Sequence, residues 1–364
     1  MMIGRVAEED SPIRTLAPSE VLQEVVTAGA VAAPPAVKAP SWAVSISREE
    51  LVERAMELHA QIAALDDLRP SERVNTLFSA LVELCLHPCA VDLDKELSGE
   101  EQAAREELIK LCGEAEGLLE HHWSAVLGAF SQPHVHLHLF PYYRNYVKLA
   151  HAEFSELCAA ASTAMAPKLA PASPPTLRKF PGCMSPAGAC ACATFTRVAF
   201  IGSGPMPLTS IVLALNHMPW ATFHNFDLDA GANDKARALV RHHPDLASRM
   251  VFFTRNIKKV KLKMADYDLV FLAALVGMDR ASKTDFLNHL ARYMRPGATL
   301  VVRSAHSGRA FLYPIVHNNM LLEAGFEVLS EFHPTDEVVN SVIVARKRPP
   351  LQQFPASLRK TTPI

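Results

Sequence analysis

The chain has no long apolar run and very little net charge. Its apolar runs fall short of the roughly 20 residues that a helix needs to span a bilayer, so we expect no membrane span. A formal net charge of −2 gives no electrostatic reason to expect nucleic acid or an anionic membrane as the main partner. The N-terminus also lacks a basic start followed by an apolar core, which argues against a secretory signal and favours the cytoplasm.

Cysteine is present without a recognisable pattern. The seven cysteines do not have the spacing of a disulfide scaffold. Three lie in apolar helical patterns and are interpreted as buried thiols: Cys85, Cys112 and Cys158. Three more cluster in a Pro/Gly/Ala-rich stretch, without the paired spacing or the fourth ligand of a zinc site: Cys183, Cys190 and Cys192. We interpret that cluster as loop residues, with a zinc site as the alternative.

Three histidines alternate along a loop, at His134, His136 and His138. Alternate spacing in a loop is poor evidence of metal ligation, because the ligands of a structural site are set by helix, turn or paired-cysteine spacing. We therefore expect no metal cofactor.

At 364 residues the chain is long enough for two domains. Residues 46–165 carry helical periodicity behind Ser-x-x-Glu capping boxes at Ser47 and Ser98, which predicts an all-helical domain. Residues 195–347 carry a different, alternating pattern. The remaining segments are rich in Pro and Ala or lack periodicity, and they are predicted to be a flexible extension (1–45), a linker or insertion (166–194) and a flexible tail (348–364).

Strand patterns alternate with helical patterns in residues 195–347, which predicts a doubly wound, Rossmann-like parallel sheet. The last two strands, 326–332 and 338–346, are separated by so short a turn that they can pair only in the antiparallel direction. A parallel sheet that ends in such a hairpin is typical of S-adenosylmethionine-dependent transferases rather than nicotinamide dehydrogenases. The predicted fold class is α/β, a Rossmann-like transferase sheet with an N-terminal all-helical domain.

The first strand of this sheet runs into a turn with the shape of a nucleotide-binding motif, Gly202, Ser203, Gly204 and Pro205. The glycines let the backbone turn tightly and approach a ligand closely. The third glycine of a dinucleotide fingerprint is absent. The prolines that follow suit the first turn of a helix but not a pyrophosphate cradle, which uses backbone donors. We therefore expect adenosine with an amino-acid tail, such as S-adenosylmethionine; a turn without a ligand is the less favoured interpretation.

Three polar residues after the next strands complete the predicted cofactor site. Asp227 is the first candidate ligand of the ribose hydroxyls and Asp229 the second. Asn256, just past the third strand, lies where many such enzymes place an acid that accepts from the adenine amine, and an amide oxygen can accept the same bond. An ordinary loop residue is an equally good interpretation of Asn256.

Several strings, taken together, are specific to one family. In the sheet part they are Gly-Ser-Gly-Pro-Met-Pro-Leu-Thr-Ser (202–210), Val-Phe-Leu-Ala-Ala-Leu-Val-Gly-Met (270–278), Val-Val-Arg-Ser-Ala-His (301–306) and His-Pro-Thr-Asp-Glu-Val-Val-Asn-Ser (333–341). In the helical part they are Leu-Cys-Gly-Glu-Ala-Glu-Gly-Leu-Leu-Glu (111–120) and Phe-Pro-Tyr-Tyr-Arg-Asn-Tyr (140–146). Over residues 50–347 the chain closely resembles the nicotianamine synthases of plants.

The resemblance implies a reaction that joins three S-adenosylmethionine molecules into nicotianamine, a metal chelator. Two 3-amino-3-carboxypropyl groups are transferred to amino nitrogens, one group cyclises to an azetidine, and three methylthioadenosines leave. S-adenosylmethionine would then be the substrate itself, no metal would be required by the protein, and the product would serve iron and other metal homeostasis.

Such a reaction needs a base, because an α-amino group is mostly protonated at neutral pH and cannot attack carbon in that form. Glu116 and Glu120 are four residues apart on a predicted helix and share a face, where partial burial would raise their pKa. By the resemblance Glu120 matches the catalytic glutamate and Tyr146 the active-site tyrosine, and Tyr143 is expected to line the same pocket. The spacing alone favours solvated surface carboxylates.

Other candidates contact the substrate at the end of the sheet. Arg303 and Ser304 end the fifth strand, at the edge where open sheets bind ligands, and Arg303 can pair bidentately with a carboxylate. Tyr313 is expected to join them, and Ala274, in the string 270–278, belongs to the same predicted substrate-binding set. A structural role is an equally good interpretation of Arg303 and Tyr313.

Two other functions stay open at this point. One is an S-adenosylmethionine-dependent methyltransferase with a helical cap, and the other is a non-catalytic metal-binding protein that uses the histidine and cysteine clusters. For the function that the resemblance implies, we expect a small-molecule substrate and no nucleic acid, and a homo-oligomer is left open. Tyr146-Val-Lys-Leu149 resembles a vesicle-sorting signal, which would associate a cytoplasmic protein with vesicles.

Overall fold

The structure, a computed structural model, describes residues 41–165 and 191–349. Its helices are α1 (Arg48–Ala63), α2 (Glu72–Leu86), α3 (Leu93–Glu96), α4 (Gly99–Gly128), α5 (Tyr143–Met165), α6 (Leu208–Val212), α7 (Ala230–Val240), α8 (Pro244–Arg249), α9 (Arg280–Tyr293) and α10 (Asn318–Ala324). Its strands are β1 (Arg197–Ile201), β2 (Thr222–Asp227), β3 (Met250–Thr254), β4 (Leu269–Leu272), β5 (Thr299–Ser304), β6 (Phe326–Phe332) and β7 (Ser341–Lys347). The predicted extension up to residue 40, the predicted linker at 166–190 and the tail from residue 350 lie outside the described residues.

Serine caps begin the helices of the N-terminal part. At α4 the reciprocal box is complete, because Ser98 Oγ accepts from Glu101 N at 3.3 Å and Glu101 Oε2 accepts from Ser98 N at 2.7 Å. At α1 the box is half formed. Ser47 Oγ accepts from Glu50 N at 3.1 Å, but the carboxylate of Glu50 pairs with Arg54 at 3.2 Å instead of returning to the cap. The predicted helices therefore start where their caps place them.

The seven strands form one sheet in the order β3-β2-β1-β4-β5-β7-β6. The pairs from β3 to β5 are parallel, and β7 runs antiparallel to both β5 and β6. The predicted Rossmann-like sheet with a closing antiparallel hairpin is thus confirmed. After β1 the chain adds β2 and β3 on one side and then β4 and β5 on the other, so the strand order reverses between β1 and β4. The crevice at the carboxyl ends of these two strands is where such sheets bind ligands.

The helix after β1 is shorter than the pattern predicts. A helix over 208–216 is expected, but α6 ends at Val212 and the chain continues as a π-helix from Leu213 to His217. Pro207 takes the N-cap position, where its missing N–H costs no helical bond. The π-helix ends before β2 begins, and α6 is therefore a short helix that directly follows the glycine turn.

Two buried clusters hold the described residues together. One lies between the sheet and the helices α9 and α10, around Ile201, Leu272, Leu300 and Ile343. The other lies among α1, α2 and α4 and continues into the turn of helix at Ser307–Phe311, so the helical part packs directly on the segment after β5. The helix α4 also contacts α7, and α5 contacts α6. The described residues belong to one compact unit, and among their helices we find none long and apolar enough to cross a membrane.

Candidate active site

The glycine turn lies between β1 and α6, with its backbone in the left-handed region. Gly202 has φ 78° and Gly204 has φ 63°, values that an L side chain adopts only with strain. The space is also filled: a Cβ at Gly202 would lie 2.4 Å from Val276 Cγ2, and a Cβ at Gly204 would lie 2.5 Å from Glu120 Oε2. Glycine is therefore required at both positions: at Gly202 because the loop after β4 fills the space, and at Gly204 because α4 of the helical part does.

A cavity of about 640 Å³ opens over this turn. The whole predicted turn lines it, together with the loop after β2, Asn256 and the loop 273–279 that follows β4. From the helical part it is lined by Glu116, Glu120 and Tyr146. The cavity is large enough for a molecule the size of S-adenosylmethionine, since small-molecule sites are typically about 300–1,000 Å³.

Two aspartates form the wall after β2. Asp227 Oδ2 accepts from Gly204 N at 2.9 Å and its Oδ1 accepts from Asp229 N at 3.0 Å, so the carboxylate is held beside the turn. Asp229 caps α7 by accepting from Gly231 N at 2.7 Å, and its Oδ2 lies 3.1 Å from His121 Nε2 on α4. Asn256 lines the cavity, and its Oδ1 already accepts from Lys258 N at 2.9 Å.

The predicted catalytic carboxylates form one hydrogen-bonded cluster with two tyrosines. Tyr146 Oη donates to Glu120 Oε1 at 2.9 Å and lies 3.4 Å from Glu116 Oε1, and Tyr313 Oη donates to Glu116 Oε2 at 2.8 Å. The helical pitch places Glu116 and Glu120 one turn apart on α4, both facing the cavity. The resulting network joins α4, α5 and the segment after β5.

Burial controls the protonation of this cluster. It raises the pKa of Glu120 well above its usual range, and the charge of Glu116 adds to the effect, while the hydrogen bond from Tyr146 opposes it. Burial also raises the pKa of Glu116, against the hydrogen bond from Tyr313 and the charge of Arg303. The pKa of each tyrosine is raised by burial and the nearby carboxylates, so both hydroxyls stay protonated donors.

Arg303 already has a carboxylate partner within the protein. Its Nε donates to Glu153 Oε1 at 2.8 Å, and its Nη2 donates to Glu153 Oε2 at 3.3 Å and to Thr209 Oγ1 at 2.5 Å. Both members of the pair are buried, with Arg303 at 7 % and Glu153 at 0 % exposed. Arg303 nevertheless lines the cavity, and its Nη1 makes no hydrogen bond to another residue in the described ranges.

A second cavity, of about 180 Å³, lies on the helical side of the cluster. Its wall is mostly apolar and comes from α2, α4, α5 and the segments around Leu312 and Val338. Five residues line both cavities: Glu116, Glu120, Tyr146, Tyr313 and Asn340. The carboxylate–tyrosine cluster is therefore the boundary between the two.

The structure does not bring every predicted residue to this boundary. Ser304 lines neither cavity, because its Oγ accepts from Val316 N at 2.8 Å behind the sheet edge. Tyr143 also lines neither, whereas its neighbour Tyr142 lines the second cavity. Ala274, Arg303 and Tyr313 do line the first cavity, and their contact with a substrate stays a prediction.

Several residues of the site were missed from the sequence. His121 and Glu153 lie in no quoted motif, while Thr209 and Asn340 lie in the strings 202–210 and 333–341 but were not singled out. The places of all four depend on contacts between distant segments. Asn340 is 8 % exposed, and its Nδ2 has no hydrogen-bond partner among the described residues. Its position in the string His-Pro-Thr-Asp-Glu-Val-Val-Asn-Ser was the signal that could have indicated it.

The histidine triplet lies away from this site. The ring of His136 stacks on the ring of Phe130, with 4.2 Å between the ring centroids. None of the three histidines lines either cavity. Within residues 41–165 and 191–349 we find no group of three or more His, Cys, Asp or Glu side chains that could hold a metal ion. Cys183 and Cys190 lie outside the described residues.

Comparison with known proteins identifies a family. The family described as "Nicotianamine synthase protein" matches residues 45–171 and 188–352. The chain is 48 % identical over 299 residues to the nicotianamine synthase of Solanum lycopersicum, which covers 82 % of this chain and 84 % of that protein. It is 46 % identical over 301 residues to nicotianamine synthase 3 of Oryza sativa subsp. japonica, with 83 % and 79 % covered.

The fold also has solved counterparts. The structure of a mutant of MtNAS in complex with S-adenosylmethionine matches with a TM-score of 0.61 and 18 % identity, covering 82 % of this chain and 98 % of that one. The structure of MtNAS in complex with MTA and tNA matches with a TM-score of 0.60 at 18 % identity, covering 83 % and 98 %. At this identity the likeness shows a shared fold only, and the coverage of this chain includes the helical part.

Proposed function

The chain belongs to the nicotianamine synthase family, and we propose that it joins three S-adenosylmethionine molecules into nicotianamine with release of three methylthioadenosines. One observation carries the proposal: Glu120, from the helical part, lies against Gly204 of the nucleotide-binding turn. A simple methyltransferase sheet has no reason to place a carboxylate of raised pKa above its cofactor turn. A reaction in which an amine must be deprotonated at that place requires one.

Binding of S-adenosylmethionine follows from the wall of the larger cavity. We assign the ribose hydroxyls to Asp227 and Asp229, because both carboxylates face the cavity beside the turn. The adenine lies towards Asn256, whose oxygen has a second lone pair for the adenine amine. The substrate carboxylate takes the open Nη1 of Arg303, since Glu153 and Thr209 hold the other side of that guanidinium.

Glu120 is the general base of the proposed reaction. Burial and the neighbouring Glu116 raise its pKa, which makes the carboxylate a stronger base than an exposed glutamate. It accepts the proton of the attacking α-ammonium group, and the hydrogen bond from Tyr146 orients it. Glu116, held by Tyr313, supplies the second negative charge at the boundary and keeps the amine near the cluster.

The second cavity admits the acceptor. An amine that enters between Glu116 and Glu120 from the helical side faces the substrate bound over the turn. Its nitrogen attacks the γ-carbon, the bond from that carbon to sulfur breaks, and the electron pair stays on sulfur to give neutral methylthioadenosine. The choice of the γ-carbon over the methyl group is geometric, because the attacking nitrogen is held in line with one carbon only. Ring closure is the same attack by the amine of one molecule on its own γ-carbon.

Incubation with S-adenosylmethionine alone tests this proposal. We expect methylthioadenosine and nicotianamine, identified by mass spectrometry, with no added acceptor. Formation of S-adenosylhomocysteine with an added acceptor, and no methylthioadenosine, would support the methyltransferase and overturn the synthase. The division into a helical and a sheet domain, the oligomeric state and the cellular location stay predictions, each open to direct measurement.

A further inference from the structure

Lys283 is a buried cation without an acidic partner. It lies in the first turns of α9, is 1 % exposed and makes no salt bridge with any described residue. Its Nζ donates instead to two backbone carbonyls, Ala274 O at 2.8 Å and Val276 O at 2.6 Å. Burial lowers the pKa of this ammonium group to about 7. A charge buried in this way destabilises a fold, so its geometry calls for another explanation.

The two carbonyls belong to the loop that follows β4 and lines the larger cavity. This loop is tightly packed on three sides. On the side of α9, a Cβ at Gly277, where φ is 79°, would lie 2.8 Å from Lys283 N. On the side of the nucleotide turn, Val276 Cγ2 occupies the space beside Gly202.

The third side of the loop is the helix that carries the catalytic carboxylates. A Cβ at Gly113 of α4 would lie 3.2 Å from Met278 Sδ and 3.4 Å from Leu275 Cδ2. The loop is therefore a spacer between the turn that holds the substrate and the helix that holds Glu116 and Glu120. The Lys283 side chain donates two hydrogen bonds to the backbone of this spacer.

We propose that Lys283 is a positioning residue for substrate binding, whose ammonium group holds the turn Ala274–Gly277 in the shape that the adenosine end of S-adenosylmethionine requires. The proposal rests on the proposed function in one respect, that S-adenosylmethionine occupies the larger cavity. Lys283 does not touch the substrate. It acts through the carbonyls of Ala274 and Val276, and through the contacts of Val276 with Gly202.

Replacement of Lys283 by Met separates this role from a structural one. Lys283→Met keeps most of the side-chain volume and removes a buried charge, but it leaves two carbonyls without their donor. Because these two effects oppose each other, the thermal unfolding temperature is expected to change little. The loss of two charge-assisted hydrogen bonds frees the loop, and the dissociation constant for S-adenosylmethionine is expected to rise about tenfold or more. The KM for S-adenosylmethionine should rise more than kcat falls. Lys283→Gln, which retains an uncharged donor nitrogen, should lie between the two proteins in affinity.

Calorimetric titration with S-adenosylmethionine measures the affinity without any turnover. Lys259→Met is the matched control, because Lys259 is exposed and lines neither cavity. Weaker binding by folded Lys283→Met, with the control at the wild-type value, supports the proposal. Unchanged affinity in Lys283→Met overturns the proposal. It is also overturned if both Lys283 variants lose binding only because they no longer fold. If the wild-type protein binds S-adenosylmethionine but makes no nicotianamine, the proposed function is wrong. The proposal for Lys283 can still be tested, because the titration measures binding alone.

Discussion

Glu120 Oε2 lies so close to Gly204 that a Cβ at that glycine would be 2.5 Å away. These two residues are 84 positions apart (204 − 120), and each belongs to a different part of the fold. The contact explains two features at once. It requires glycine as the third residue of the turn, and it places a carboxylate of raised pKa beside that turn, where the proposed reaction needs its base.

Glu120→Gln should remove turnover and spare binding. The amide keeps the size and the hydrogen bond from Tyr146 but cannot accept the proton of the amine. We expect kcat to fall by about 10²–10⁴, the range typical of a general base, with the affinity for S-adenosylmethionine within a few-fold of wild type. Glu114→Gln is the control, because Glu114 is exposed on the same helix. Full activity in Glu120→Gln would assign the base elsewhere.

Gly204→Ala should disturb the same contact from the other side. The left-handed φ of 63° strains any L residue there, and the added methyl group forces Glu120 out of its place. We expect a loss of stability of about 1–2 kcal/mol from the backbone and a large loss of kcat. At Gly99 a Cβ would meet nothing within 4 Å, so Gly99→Ala should keep both stability and rate. Equal effects of the two substitutions on kcat would contradict the assignment of the contact.

Tyr146→Phe should move the pH profile. The hydroxyl of Tyr146 donates to Glu120 and lowers the pKa of that carboxyl, which burial raises. Without the donor the pKa of Glu120 rises further, so the base becomes protonated at a higher pH. The acid limb of kcat/KM is therefore expected at higher pH than in the wild type.

Tyr143→Phe decides between two predictions and serves as the control for Tyr146→Phe. The spacing of Tyr143 to Tyr146 along the helix predicts that Tyr143 lines the pocket, but the structure has it on neither cavity wall. We expect wild-type kcat/KM over the whole pH range. A shifted profile in Tyr143→Phe would show that this residue reaches the cluster after all.

Glu153→Ala should destabilise the fold. Arg303 and Glu153 form a buried pair, and removal of one partner leaves an uncompensated charge, which costs about 3–5 kcal/mol. The matched control is Glu50→Ala, because Glu50 and Arg54 form an exposed pair at 3.2 Å whose loss costs about 0–1 kcal/mol. Denaturant unfolding of the three proteins compares the two pairs. A cost for Glu153→Ala as small as that for Glu50→Ala would mean that Arg303 finds another partner.

His306 should make the fold sensitive to acid. His306 Nδ1 and His333 Nδ1 both lie 2.9 Å from Ser341 Oγ, which can donate to one ring and accept from the other. Burial, with the nearby His333 and Arg309, lowers the pKa of His306 from 6.5 to about 4. Because the unfolded chain binds this proton more readily than the folded one, stability falls as the pH drops from 6.5 towards 4.

The unfolding midpoint of His306→Asn, measured against pH, checks this expectation. The variant should lose less stability than the wild type between neutral pH and pH about 5, since it has no ring to protonate. His138→Gln, at an exposed histidine, should follow the wild type. Identical pH dependence in all three proteins would exclude His306 as the group responsible.

Local rules were enough to predict the fold class, because each rule depends on neighbours in the sequence. The Ser98–Glu101 box begins α4 where the spacing predicts. The connection from β6 to β7 is longer than predicted, at residues 333–340, but it is still too short for a parallel crossover and determines the antiparallel direction of β7. The same rules fail where packing competes with them. The Glu50 carboxylate pairs with Arg54 rather than closing its box, and the helix after β1 widens into a π-helix before β2.

By itself, the sequence determined that a glycine turn follows the first strand of a Rossmann-like sheet and that a glutamate pair shares one helix face. Periodicity, turn chemistry and family motifs all act over short stretches, so they can be read without a structure. Only the tertiary structure decided that Glu120 rests on Gly204, that Arg303 is held by Glu153 and that Lys283 is buried against the loop after β4. Each of these contacts joins segments that approach only when whole surfaces pack, and the burial that changes their charges exists only after that packing.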